Sequence, residues 1–165
     1  MEVVRGKKSD FGEIIKLWQR FFPEDKGPFV IDYLGKRLKN DEILVAREDG
    51  KAVGFLAFFK EYFSQSDYNQ FIMVDESYQR KGVATRLMNE FERQANKRGC
   101  RRIYSSVEPW NRASIRMHKK LGYARCGYVD HIWNEGIRDL FYSKKLWKGP
   151  KNPRIRRSGP ACYNN

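Results

Sequence analysis

Phe71-Ile72-Met73-Val74-Asp75-Glu76-Ser77-Tyr78-Gln79-Arg80-Lys81-Gly82-Val83-Ala84-Thr85 is the stretch on which the fold turns. Its first four residues form an unbroken apolar run, as expected of a strand covered on both faces. Asp75 to Arg80 is polar and reads as a loop. From Gly82 to Lys97 the apolar residues Val83, Leu87, Phe91 and Ala95 recur on one helical stripe, and Gly99 can end that helix. A loop that feeds a helix N-terminus is an anion site, because the first N–H groups have no partner within the helix and the macrodipole is positive there. Gly82 lets the backbone approach a bulky anion, Ala84 is small, Arg80 and Lys81 add charge, and Thr85 adds a hydroxyl.

Upstream, Glu2 to Arg5 reads as a first strand. Ser9 or Asp10 can cap the helix that follows, in which Ile14, Ile15, Trp18, Phe21 and Phe22 recur at helical spacing until Pro23. A second helix is expected from Ile31 to Leu38. Ile43 to Arg47 and Ala52 to Phe59 are strands, joined through Asp49-Gly50, a hairpin signal. Downstream, Ile103 to Val107 is a strand, Pro109 breaks the chain, and Asn111 opens a helix ending at Leu121-Gly122. Tyr123 to Trp133 and Asp139 to Leu146 read as a closing strand pair, turned at Asn134-Glu135-Gly136. The order β-α-α-β-β-β-α-β-α-β-β implies an α/β (α+β) fold. Its centre is a mixed, mostly antiparallel sheet of about seven strands, flanked by about four helices.

The 165 residues suit one domain, over 1–147, followed by a basic C-terminal tail over 148–165 that reads as flexible. Between Lys144 and Arg157 lie seven basic residues and no acid, more than half of the net charge of +13. Such a surface attracts polyanions, whether nucleic acid or a phosphorylated cofactor, and equally serves as a solvated surface. No apolar run approaches the ~20 residues that span a membrane, and no signal peptide is evident at the start, so a soluble, cytoplasmic protein is expected. Cys100, Cys126 and Cys162 are an odd and widely spaced set without a CxxC pair. With only His118 and His131 besides, neither a disulfide framework nor a metal site is expected.

The string Gln79-Arg80-Lys81-Gly82-Val83-Ala84 resembles the Q/R-x-x-G-x-G/A signature of the GNAT N-acetyltransferases, and it stands between a strand and a helix as in that family. A second segment, Asn111-Arg112-Ala113-Ser114-Ile115-Arg116-Met117-His118-Lys119-Lys120-Leu121-Gly122-Tyr123, is similar to the family's N-x-x-[AS]-I-x-x-Y-x-x-x-G-[FY]. Neither GxxxxGK[ST] nor GxGxxG is present. The resemblance implies a GNAT-like fold and acetyl-CoA as the acyl donor. It further implies that Met73 and Val74 pair with the pantetheine arm, that the N–H groups from Arg80 to Thr85 hold the diphosphate, and that Asn111 reaches the cofactor from across a splayed strand pair. The cofactor set expected is therefore Met73, Val74, Gln79, Arg80, Lys81, Gly82, Val83, Ala84, Thr85, Asn111, Ser114 and His118.

Acetyl transfer to an amine requires loss of an amine proton, a donor for the oxyanion, and a proton for the departing thiolate. The family commonly places a Tyr where this chain has His118, the chief departure from the pattern. Asn111, Ser114, Ile115 and His118 fall on one helical stripe, so an imidazole facing the cofactor could supply the proton; otherwise His118 packs beside it. Asn111 also reads as an N-cap. Glu108 is the candidate base, on the same face of its strand as Ser106, with Glu61 and Asp75 as fallbacks and a surface strand end as the plain alternative. Some relatives carry a carboxylate at the position of Ser106. Cys100 and Cys126 read as packing residues, and Tyr123, past the end of the helix, either substitutes as the acid or fills the core. Phe21, Phe22, Tyr33, Tyr62, Phe63 and Tyr68 form an aromatic wall suited to an amine on an apolar body.

The function expected is N-acetyl transfer from acetyl-CoA to a primary amine of a small molecule, protein or peptide. Two alternatives stand beside it: a nucleic-acid-associated module using the basic tail, and a CoA-binding protein of this fold without turnover. A homodimer is compatible with the sequence.

Overall fold

A computed structural model of the chain describes residues 1–25, 27–130 and 135–146. Seven strands are present: β1 Glu2–Arg5, β2 Ile43–Glu48, β3 Lys51–Phe63, β4 Ser66–Val74, β5 Arg102–Val107, β6 Ala124–Asp130 and β7 Arg138–Lys145. The helices are α1 Phe11–Phe21, α2 Pro28–Lys39, α3 Val83–Lys97 and α4 Arg112–Lys120, with short 3-10 turns at Lys8–Asp10 and Glu76–Tyr78. The strands form one sheet in the order β1-β2-β3-β4-β5-β7-β6. Every neighbouring pair is antiparallel except β4–β5. Element order and fold class agree with the sequence reading.

Both faces of the sheet are covered. On one, α3 packs Val83, Leu87, Met88, Phe91 and Ala95 against Leu44, Leu56, Phe58, Ile103 and Tyr142. On the other, Ile14, Leu17 and Trp18 of α1 and Val30 and Leu34 of α2 cover Ile43, Val45, Phe55, Ala57 and Met73. Ile72 and Val74 belong to the first cluster and Phe71 and Met73 to the second, which is why this run is apolar throughout. Asp49 and Gly50 both take positive φ (49° and 78°), as a two-residue hairpin turn of the primed type requires.

Several expectations are corrected. Asp10 stands at the N-cap of α1, but its side chain does not cap. Its carboxylate instead accepts from the Lys7 N–H and pairs with Arg47, which ties the start of α1 to β2. α2 begins at Pro28 rather than Ile31, with Pro at a position where its missing N–H costs nothing. Phe21 at the end of α1 and Phe22 after it are exposed (37% and 43%). Cys126 is exposed too, whereas Cys100 is buried against Asp67. The largest departure is the hairpin β3–β4, which extends to Phe63 and Ser66 through a stretch too polar to read as strand. Tertiary contacts hold it. Tyr62 packs on Tyr68 at 4.9 Å, and Asp67 is fully buried because Arg98, the Cys100 thiol and the Glu61 N–H all reach it. The expected strand end at Trp133, the Asn134 of the turn, and the tail over 148–165 lie outside the described residues.

Gly54 lies where β3, β4 and α3 meet. A Cβ there would fall 2.9 Å from the Met73 carbonyl oxygen and 3.3 Å from Val83 Cγ1. Gly54→Ala is therefore expected to destabilise the fold by about 1–3 kcal/mol. Urea unfolding checks this, and a midpoint equal to wild type would refute the close approach.

Candidate functional site

β4 and β5 run parallel and are paired only from Ser66–Arg102 to Asn69–Ser105. Beyond that point they part. Gln70 is the cause: Ala57 pairs with Phe71 and Phe58 with Asn69, so Gln70 is an extra residue in β4. A bulge of this kind bends its strand and raises the local twist. The residues of β4 past it keep their bonds to β3 while their other edge is unpaired with β5. The opening is a cleft of about 580 Å³, lined by Gln70 to Met73 of β4, Ser105 to Glu108 of β5, Asn111, Ser114 and His118 around α4, Asp139 of β7, and aromatic residues of α1 and α2.

His118 stands at the apex of this opening, 1% exposed. Its Nδ1 lies 2.9 Å from the Ser114 carbonyl oxygen, and its Nε2 lies 3.0 Å from Ser105 Oγ. A carbonyl can only accept, so Nδ1 carries the proton and Nε2 accepts from the Ser105 hydroxyl. Asn69 Nδ2 in turn donates to Ser105 Oγ at 3.0 Å. The chain Asn69–Ser105–His118 thus stitches β4, β5 and α4 together where the strands diverge. Burial lowers the imidazole pKa, partly offset by the Ser114 bond, and keeps the ring neutral. A neutral ring with its Nε2 lone pair occupied holds no proton for a departing group on that side. The direct acid role expected for His118 therefore lacks geometric support. Asn111 caps α4, its Oδ1 accepting from the Ser114 N–H at 3.0 Å, which leaves its amide NH2 available to the cleft.

On the opposite face of β5 the cleft is acidic. Val107 pairs with Leu140, and continuing that register by one residue sets Glu108 opposite Asp139. Asp139 is 1% exposed, and neither of its carboxylate oxygens has a partner among the described residues. Burial raises its pKa. Glu108 is raised as well, by burial and then by the Asp139 charge. Ser106, two residues before Glu108 on β5, bonds to Tyr68 at 2.7 Å. The fallback bases are otherwise engaged or exposed: Asp75 pairs with Arg20 of α1 and accepts from Ser77, and Glu61 is an exposed residue of β3.

The loop before α3 takes the shape its residues suggest. Arg80 and Gly82 both adopt left-handed φ (59° and 82°). Nothing lies within 4 Å of where a Gly82 Cβ would be. The first bond from the end of α3 is Arg86 N–H to the Gly82 carbonyl, so the N–H groups of Val83, Ala84 and Thr85 have no partner within the helix. The Val83 side chain is buried in the core, leaving only its backbone to the loop. Gln79 Nε2 donates to the Val74 carbonyl at 3.2 Å, which pins the loop to the end of β4.

The model of the acetyltransferase (GNAT) family matches residues 11–123. The chain belongs to the GNAT acetyltransferase family. The fold is also that of solved members. The ribosomal-protein-alanine N-acetyltransferase of Brucella melitensis superposes with a TM-score of 0.76 at 19% identity, over 88% of this chain and 99% of the other. An aminoglycoside 6'-N-acetyltransferase complexed with coenzyme A gives 0.76 at 16% identity, over 92% and 100%. A protein of Salmonella typhimurium solved with its cofactor acetyl-CoA gives 0.74 at 18% identity, over 92% and 96%.

In this GNAT chain an open left-handed loop at a helix N-terminus and an unpaired strand edge leading away from it form one side of the cleft, a surface suited to a phosphate-bearing ligand. The sequence reading missed Asp139 and the bulge at Gln70. Asp139 lies in a strand whose pairing with β5 has no local signal, and Gln70 is unremarkable until its register is known. Of the aromatic wall, Phe21, Phe22 and Tyr33 line the cleft, whereas Tyr62, Phe63 and Tyr68 line a separate hollow of about 370 Å³.

A buried neutral His binds fewer protons than the same residue in the unfolded chain once the pH falls below about 6.5. Native stability is therefore lost as pH drops through that window, by up to about 1.4 kcal/mol per pH unit for this group. The difference in unfolding free energy between wild type and His118→Gln is expected to slope that way between pH 7 and 5. A flat difference would show that His118 titrates normally.

Proposed function

We propose that the chain is an N-acetyltransferase that moves the acetyl group of acetyl-CoA to a primary amine by direct attack. The observation that carries this reading is the cleft through the splayed sheet, with an anion-binding helix end on one face and the Glu108–Asp139 carboxylates on the other. Acetyl-CoA, when bound, supplies the thioester carbon on which the amine acts. The N–H groups from Arg80 to Thr85, with Gln79 fixing the loop and Lys81 adding charge, hold the diphosphate. The free edge of β4 from Ile72 to Val74 receives the pantetheine arm, and the Asn111 amide and Ser114 flank it from α4. The Val74 carbonyl is already taken by Gln79, and the Asp75 N–H bond to Val53 sets the Met73 backbone groups toward β3, so the Val74 N–H and the backbone of Ile72 are what face the open edge.

Glu108 is the base. Its raised pKa suits proton uptake near neutrality better than an ordinary carboxylate would. A water between Glu108 and the amine can pass the proton. His118 is a positioning residue: it fixes Ser105, and through Ser105 and Asn69 it fixes the angle between β4 and β5. The Asn69 Oδ1, buried without a partner among the described residues, is an acceptor at the same apex for an N–H of the incoming amine. Solved proteins of this fold include a ribosomal-protein-alanine N-acetyltransferase and an aminoglycoside 6'-N-acetyltransferase, so the fold accommodates acceptors of either size.

The test is release of CoA thiol from acetyl-CoA across polyamines, amino acids, aminoglycosides and N-terminal peptides. Turnover with at least one amine is expected; acetyl-CoA binding with no thiol release from any of them would leave a CoA-binding protein without turnover. Glu108→Gln is expected to lower kcat about 100-fold and to remove the rise of kcat/KM with pH as the carboxyl ionises. Gly82→Ala places a side chain at left-handed φ, a strain of about 1–2 kcal/mol, and is expected to weaken acetyl-CoA binding roughly tenfold by calorimetry.

A further inference from the structure

Asp139 is the one residue of the cleft that neither motif reaches and whose burial is hardest to explain by folding alone. A carboxylate is costly to bury unless it is paired and hydrogen-bonded. Asp139 is 1% exposed with both oxygens unpartnered among the described residues. It also stands opposite a second acid. Directly opposed residues of an antiparallel pair have Cβ atoms about 4.5–5.5 Å apart, and like charges so placed destabilise a sheet. Carried one residue past its last pair, Val107–Leu140, the register puts Glu108 in that position. Two carboxylates facing each other at the wall of a cleft favour a cation there, because a positive group beside Asp139 relieves its desolvation and its repulsion of Glu108.

The two acids cannot have the same task. The reacting amine must be neutral when it attacks, so a carboxylate that held it firmly as an ammonium would oppose the reaction. Glu108 borders the strand opening through Ser106 and Val107, next to the apex. Asp139 lies one strand further across, with the β7 residue Phe141 behind it packed on Tyr68 at 5.8 Å. The facing wall is Trp18, Phe21, Phe22, Phe29 and Tyr33, which offers ring faces and no positive charge. An apolar stem fits between such a wall and the carboxylates.

We propose that Asp139 binds a second, non-reacting ammonium group of the acceptor, which makes the acceptor a diamine or oligoamine whose two amines are joined by an apolar stem. This rests on the N-acetyltransferase reading above and names its substrate class. It accounts for a buried acid without a protein partner, for the acid opposite it, and for the aromatic wall.

The test compares 1,5-diaminopentane with n-pentylamine, which has the same chain and one amine, on wild type and Asp139→Asn. Wild type is expected to favour the diamine at least tenfold in kcat/KM. Asp139→Asn is expected to raise KM for the diamine roughly 30-fold, as for loss of one partner of a buried charge pair, and to leave KM for n-pentylamine within twofold, while loss of the Asp139 charge beside Glu108 acts on kcat for both amines alike. Its Kd for acetyl-CoA by calorimetry should equal wild type, and its Tm should equal or exceed wild type, because a buried uncompensated charge has been removed. Equal use of the two amines by wild type, a diamine KM within twofold of wild type in Asp139→Asn, or a lowered Tm that marks Asp139 as structural would each overturn the proposal. Failure of wild type to bind acetyl-CoA or to release CoA with any amine would instead overturn the N-acetyltransferase reading.

Discussion

One inserted residue governs the architecture of the site. A flat register between β4 and β5 would close the sheet and leave no passage through it. Gln70 breaks that register, turns the rest of β4 away, and leaves strand edge without a partner. An open edge inside a sheet is unstable unless something holds the angle. Here the Asn69–Ser105–His118 chain does so from inside, and the ion pair of Arg20 with Asp75 ties α1 to the far end of the same strand from outside. Alternation then does the rest: Ile72 and Val74 face α3 while Phe71 and Met73 face α1.

The passage has two chemically different mouths. One is built from backbone: a helix end with unpaired N–H groups, a left-handed loop, and the capped start of α4. Such a surface attracts anions without relying on exposed cations. The other is built from side chains, with aromatic rings on one wall and Glu108 and Asp139 on the other. On the reading proposed above, a molecule bearing phosphate and a molecule bearing amines come to opposite sides of one opening, which suits transfer between them. The basic surface of the chain is a poor guide to this, since the acceptor side has the opposite charge from the net +13.

The buried polar groups separate by what they do. Asp67, wholly buried, has Arg98, Cys100 and the Glu61 N–H around it, and so stabilises the long β3–β4 hairpin. His118 is satisfied on both nitrogens and serves the splay. Among the described residues Asp139 has no such complement, and its pKa is raised by burial. A fold that satisfies its other deep acids but leaves this one bare at a cleft is spending stability at that point, and binding is the usual reason.

The sequence by itself determined the order of elements, the Asp49-Gly50 turn, the α3 stripe and the loop from Gln79 to Ala84. Each of these depends on local periodicity, on a φ that glycine tolerates, or on the free N–H groups of a helix end, and such causes lie within a few neighbouring residues. It also located the Asn111 helix, because its cap and its stripe are local. The tertiary structure alone decided the rest. The extension of β3 and β4 through polar residues depends on Arg98 and Cys100 arriving from elsewhere. The bulge at Gln70 exists only as a difference in register between two strands. The meaning of His118 depends on Ser105, thirteen residues away in sequence and 3.0 Å away in space. Asp139 reads as one more acid in a strand until β7 is laid against β5 and Glu108 faces it. Pairing across strands is a long-range choice, and no window of local sequence carries it.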